Sequence, residues 1–96
     1  MTQTIEGKSF PFGWVECVSG LKMSIRAGMG VYSDPRVDNA DYTEVEVGYP
    51  SEVVEEIKPY QEGFGDPTDT VYPYVPVSVV LAVIKNHGGI KGGKTA

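Results

Sequence analysis

Ninety-six residues with 41% hydrophobic side chains make one domain around a single modest core. The net charge of −5 excludes the basic footprint of a dedicated DNA or RNA binder. The lone Cys17 excludes an internal disulfide and so a stapled, secreted scaffold.

The chain opens on Met1–Gly13, which has no signal-peptide apolar core, and no later run is long and apolar enough to span a bilayer; a cytoplasmic protein with no membrane partner is expected. Pro11 argues against a helix there, and Phe10 and Phe12 are expected to cover one edge of the core. Trp14–Val18 and Leu21–Ala27 read as strands joined at Ser19-Gly20, with glycine supplying the positive φ of a hairpin turn. Leu21, Met23 and Ile25 alternate with Lys22, Ser24 and Arg26, the pattern of a half-buried strand. Gly28–Tyr32 continues the sheet with a bulge at a glycine, and Ser33–Ala40 is a Pro- and Asp-rich loop.

Tyr42–Val47 is the next strand, with Thr43, Val45 and Val47 inward and Glu44 and Glu46 outward, facing Lys22 and Arg26 of the neighbouring strand. Pro50 and Ser51 open a two-turn helix with Ser51 as N-cap, Val53, Val54 and Ile57 on its apolar face and Glu52, Glu55 and Glu56 on the other. Pro59 ends it. Tyr60–Asp69 is a loop, and Thr70–Val75 is an edge or irregular strand because of Pro73. Pro76–His87 is the strongest helix signal: proline in the first turn, an apolar stripe through Val77, Val80, Val83 and Ile84, and Gly88 at the left-handed position beyond the end. Its β-branched content makes a strand over Val77–Ile84 the rival. Beyond a domain of residues 1–90, Lys91–Ala96 reads as a flexible basic tail.

Two segments share a strand–proline–helix–glycine plan at an offset of 26 residues, with Val45, Pro50, Val54 and Ile57 corresponding to Val71, Pro76, Val80 and Val83. The expected fold is therefore α+β: a mostly antiparallel sheet of about four strands with two short helices packed on one face.

Charge is unevenly placed. Between Asp34 and Asp69 eleven acids face Arg36 and Lys58, a net of −9, whereas the flanks carry a net of +4. Five of those acids, Glu44, Glu46, Glu52, Glu55 and Glu56, come from one contiguous strand–turn–helix beside Tyr42 and Tyr49. A fixed carboxylate array with tyrosine anchors suits a basic partner. The competing explanation is solubility alone.

Val45–Glu56 and Val71–Ile90 resemble small uncharacterised proteins encoded by bacteriophages. The resemblance implies a non-enzymatic module that binds and inhibits a basic host protein, such as a nucleic-acid-binding or defence protein, and it carries over no site residue. The alternative is a homo-oligomer that binds a small ligand between subunits, with Tyr32 and Arg36 lining the pocket. Catalysis lacks a motif: Cys17 and His87 are the single members of their kind, with no P-loop, Gly-x-Ser-x-Gly or His-Glu-x-x-His pattern. Asp34, Asp38, Asn39 and Asp41 crowd one loop without the central glycine and ligand alternation of a calcium loop. Gly28 and Gly30 lack the following helix a phosphate site needs. No cofactor or metal is expected.

Overall fold

The computed structural model describes residues 2–5, 8–37 and 41–91. Its first element is a separate antiparallel hairpin of β1 (Thr2–Ile5) and β2 (Lys8–Pro11), registered Thr2 to Pro11 and Ile5 to Lys8. The sequence marked no strands in this polar lead-in. Phe12 alone connects the hairpin to β3 and packs edge-on against Tyr42, with ring centroids 6.0 Å apart.

The main sheet is antiparallel throughout, in the order β3 (Gly13–Glu16), β4 (Lys22–Arg26), β5 (Glu44–Gly48) and β6 (Val71–Pro76). Sequence alternation decides its two faces. Val15, Met23, Ile25, Val45, Val47, Tyr72 and Val75 are buried on one face together with Leu21 from the β3–β4 turn. A single α-helix, α1 (Val77–Asn86), lays Val77, Val80, Val83 and Ile84 over that face, and a 3₁₀ helix (Glu55–Tyr60) adds Ile57. This is the α+β arrangement expected, with helix rather than strand over Val77–Ile84.

The register aligns Trp14 with Ser24, Ser24 with Gly48, and Gly48 with Val71, all on the face away from α1. Beside that row Arg26 pairs with Glu46, as expected, while Lys22 pairs with Glu16 instead of a β5 glutamate. Between Val45 and Val47 the β5–β6 ladder is irregular: Glu46 opposes both Pro73 and Tyr74, a bulge that absorbs the proline and turns Tyr74 to φ +54°.

The second expected helix differs most. Ser51 is no N-cap: its N–H donates to the Lys22 carbonyl at 2.8 Å and its hydroxyl accepts the Lys22 N–H at 2.9 Å, so this stretch stays attached to β4. Helical geometry begins only at Glu55, and Val53 is exposed. Pro59 lies inside the element. In an α-helix its ring would collide with the Glu55 carbonyl, which its missing N–H would also leave unpaired, so the short segment takes the tighter i→i+3 form. The 26-residue correspondence thus ends at its prolines, since Val79 and Val80 are helical and Val53 and Val54 are not.

Three loop features also depart from expectation. Residues 28–33 do not extend the sheet; they turn around the buried Ser33, whose hydroxyl accepts the Gly28 N–H at 3.0 Å and lies 2.9 Å from the Pro35 carbonyl. Thr43 is exposed rather than inward. Tyr42 and Tyr72 are buried and each donates its hydroxyl to the carbonyl five residues earlier, Val37 at 2.7 Å and Pro67 at 2.5 Å, pinning the loop to the strand that follows it.

The end of α1 closes as its sequence specifies. The Gly88 N–H donates to the Lys85 carbonyl and the Gly89 N–H to the Ile84 carbonyl, a Schellman arrangement with Gly88 at φ +88°. The chain then runs back along β3, with Val18 N–H to Gly89 O and Lys91 N–H to Glu16 O at 2.9 and 2.8 Å. Lys91 is therefore bonded to the domain, and residues 92–96 of the expected tail lie outside the described residues.

At Gly88 an added Cβ would sit 3.1 Å from the Val18 Cβ, on a backbone that side chains rarely adopt. Gly88→Ala is expected to destabilise the protein by more than about 1 kcal/mol in urea unfolding. Gly20→Ala, with similar φ but open space around it, tests the backbone contribution alone and should lose less.

Candidate functional site

The sheet divides the carboxylates that are adjacent in sequence. Glu44 and Glu46 project from β5 on the face away from α1, whereas Glu55 and Glu56 belong to the 3₁₀ helix in the layer that covers the opposite face. Glu52 is exposed in the turn between them. Two of the five are engaged in the fold. Glu46 is 9% exposed and its Oε1 accepts the Tyr32 N–H at 3.2 Å. Glu56 Oε2 accepts from Asn86 Nδ2 at 2.9 Å, which, with a smaller contribution from His87, holds its carboxyl below the ordinary value near 4.5. Glu55 makes a long exposed contact of 3.9 Å with Lys58, of little energetic weight. Tyr42, at 1% exposure, is core and offers no partner contact. Of the seven residues singled out, Glu44, Glu46 and Tyr49 share the open side of the sheet or its rim, and no single acidic face forms.

What does form on that side is a groove of about 610 Å³ lined by Trp14, Ser24, Arg26, Glu46, Gly48 and Tyr49, with Val71 at one end. Trp14, 68% exposed, rises from β3 because Val15 must point into the core and alternation sends its neighbour outward. Tyr49, 48% exposed, stands on the other side at φ +50°, held by its N–H to the Thr70 carbonyl at 2.9 Å. Ser24 and Gly48 lie between them in one register row.

Polar capacity converges on the floor. Ser24 is 9% exposed, yet its hydroxyl has no hydrogen-bond partner among the described residues. Arg26 and Glu46 are cross-strand neighbours without an ion pair between them, and one Glu46 oxygen accepts the Tyr32 N–H. The alternation of the sequence carried this signal: an outward Trp14 beside an outward Lys22-Ser24-Arg26 row marks an aromatic on a polar face. The acid clustering in sequence does not correspond to a cluster on one face in space.

Tyr32 and Arg36 are together, but as a stack and outside the groove. The Arg36 guanidinium lies 5.3 Å from the Tyr32 ring centre, its Nε donates to the Val31 carbonyl at 3.0 Å, and the Tyr32 ring meets the Tyr74 ring at 5.9 Å. Cys17 is fully enclosed and burial pushes its thiol pKa up, opposite to a nucleophilic thiolate. The fold does bring His87 to the tip of the β3–β4 hairpin, against Ser19: Nδ1 and Oγ are 2.8 Å apart. The N–H groups around this pair are engaged, Ser19 with the His87 carbonyl and Gly20 with the Cys17 carbonyl. These two N–H groups are therefore not available to an oxyanion, and the pair ties hairpin to helix. Of the acidic loop, Asp38 and Asn39 lie outside the described residues, and the described residues contain no metal-binding group of three or more His, Cys, Asp or Glu. Among the described residues no helix is long and apolar enough to cross a membrane.

No family model, curated protein or solved structure matches the chain. The groove is therefore read from its own chemistry.

Because Glu56 titrates lower in the folded chain than in the unfolded one, its contribution is full above the unfolded value and disappears as pH falls through the folded one. Acid unfolding followed by circular dichroism below about pH 4.5 should show a shallower loss of stability in Glu56→Gln than in the wild type.

Proposed function

We propose that the protein is a non-enzymatic binding module whose contact surface is the open face of the sheet, centred on the Trp14–Tyr49 groove. The observation that carries this reading is Trp14, an aromatic of interface-anchor type left 68% exposed on a rigid strand beside a groove with polar groups at its floor. The fold gives no reason for it: the side chain points away from the core, and the adjacent β4 position is a serine.

A role as a phage-like inhibitor of a basic host protein is compatible with this surface. The overall charge of −5 favours the approach of a basic partner at low salt. Contact then falls to Trp14 and Tyr49, with Glu44 at the rim, and not to an array of five glutamates.

The test compares two pairs of substitutions in affinity capture from host extract at low and high salt. Trp14→Ala with Tyr49→Ala should abolish retention of whatever the wild type holds, by roughly 2 kcal/mol or more for an anchor residue. Glu52→Gln with Glu55→Gln should change retention less than threefold and increase no salt resistance. Loss in the glutamate pair with retention in the aromatic pair would refute the reading, provided that both pairs keep the wild-type melting transition.

A further inference from the structure

Resting on the reading of the open face as the binding surface, we infer that the Trp14–Tyr49 groove is a saccharide subsite that holds one ring of a neutral sugar. Four observations converge on this class. The walls are aromatic and attached two strands apart, roughly 10 Å at the backbone from strand spacing. A ring held between them by contacts of about 3.5–4 Å on either side suits that gap. The apolar C–H face of a pyranose packs on such a ring face while its hydroxyls remain at the edges.

The floor supplies hydrogen bonding of both kinds. Arg26 offers donors only, the second Glu46 oxygen accepts only, and the Ser24 hydroxyl does both. A sugar hydroxyl is likewise donor and acceptor at once, so a vicinal pair is satisfied by this set. Ser24 is the sharpest indication: the residue is only 9% exposed, it lines the groove, and its hydroxyl has no hydrogen-bond partner among the described residues, so a bound group is needed to complete it with protein-quality geometry.

Charge narrows the class further. Arg26 and Glu46 are the charged residues lining the groove, and their charges cancel. A phosphate or carboxylate ligand would meet Glu46 and the −5 field of the protein, and a cationic side chain would meet Arg26. A neutral polyol meets neither penalty.

Gly48 completes the geometry. Its φ is outside the positive range, and an added Cβ would find only ordinary contacts, 3.6 Å to Val71 and 3.8 Å to Ser24. The fold therefore tolerates a side chain at this position, and glycine keeps the floor low.

Trp14 is the single tryptophan of the chain, so its fluorescence reports the groove alone. The experiment titrates the full chain with maltotriose, cellotriose, chitotriose, mannotriose and lactose, with adenosine monophosphate and acetyl-lysine amide as charged comparators. At least one sugar should give a saturable change at Trp14, of constant affinity between about 50 and 500 mM salt, the behaviour of an uncharged ligand. Gly48→Ala and Ser24→Ala should each weaken it roughly tenfold while the melting transition stays at the wild-type temperature. No saturable response to any of the five sugars overturns the inference, as does a response that survives both substitutions or tighter binding of a charged comparator. If the sugars fail while Trp14→Ala with Tyr49→Ala still abolishes protein capture, the saccharide inference falls and the binding surface stands. If neither sugars nor capture depend on Trp14, both fall together.

Discussion

One apolar face holds this molecule together. Four strands contribute Val15, Met23, Ile25, Val45, Val47, Tyr72 and Val75 to it, and a single α-helix and one 3₁₀ turn cover it. A chain of 96 residues has enough apolar side chains for one such layer, and among the described residues both helical segments belong to it. The reverse of the sheet carries no such layer of helices and is covered only in part, by loop 28–33 against Glu46. Lys22, Ser24, Arg26, Glu44 and Glu46 are the polar side chains this predicts, and Trp14 is the departure.

Glu46 links the two sides of that division. It sits opposite the β6 bulge, and its Oε1 receives the Tyr32 amide, whose carbonyl in turn receives the Tyr74 amide. Loop 28–33 is thereby fastened to the sheet edge at the residue that also lines the groove. The left-handed backbone of Tyr74 belongs to this fastening, and that of Tyr49 places an aromatic ring at the groove wall. Positive φ at two bulky residues is uncommon and carries an energetic cost of about 1–3 kcal/mol each. The first is explained by the bulge, the second by no packing need of the core.

Much of the architecture was legible because it depends on local pattern. The alternation in Leu21–Arg26, the Ser19-Gly20 turn and the proline-to-glycine span of α1 each carry their own signal, and the structure follows all three. The 3₁₀ helix was misread because Ser51 resembles an N-cap until Lys22, distant in sequence, takes both its hydrogen-bonding groups. The acidic stretch divides in space for a related reason. Contiguity along a chain that leaves a strand and enters the covering layer does not mean contiguity in space, so Glu46 and Glu56 end on opposite sides of the sheet. Tyr42 is core because an aromatic just ahead of a strand also serves to pin the preceding loop, and its bond to Val37 does so.

The division by face changes what the sequence asks of explanation. An acidic residue on a solvated surface needs no cause beyond solubility, and Glu52 and Glu55 fit that description. Trp14 does not. A tryptophan on an outward strand position forgoes the stabilisation of about 1.5–3 kcal/mol that burying a large apolar side chain brings, at a position of β3 where a threonine or lysine would serve the sheet as well. Ser24 makes the complementary case: a residue only 9% exposed, on the groove floor, whose hydroxyl has no hydrogen-bond partner among the described residues. The exposed aromatic and the unpaired hydroxyl share one register row, where a ligand that covers the first can bond the second.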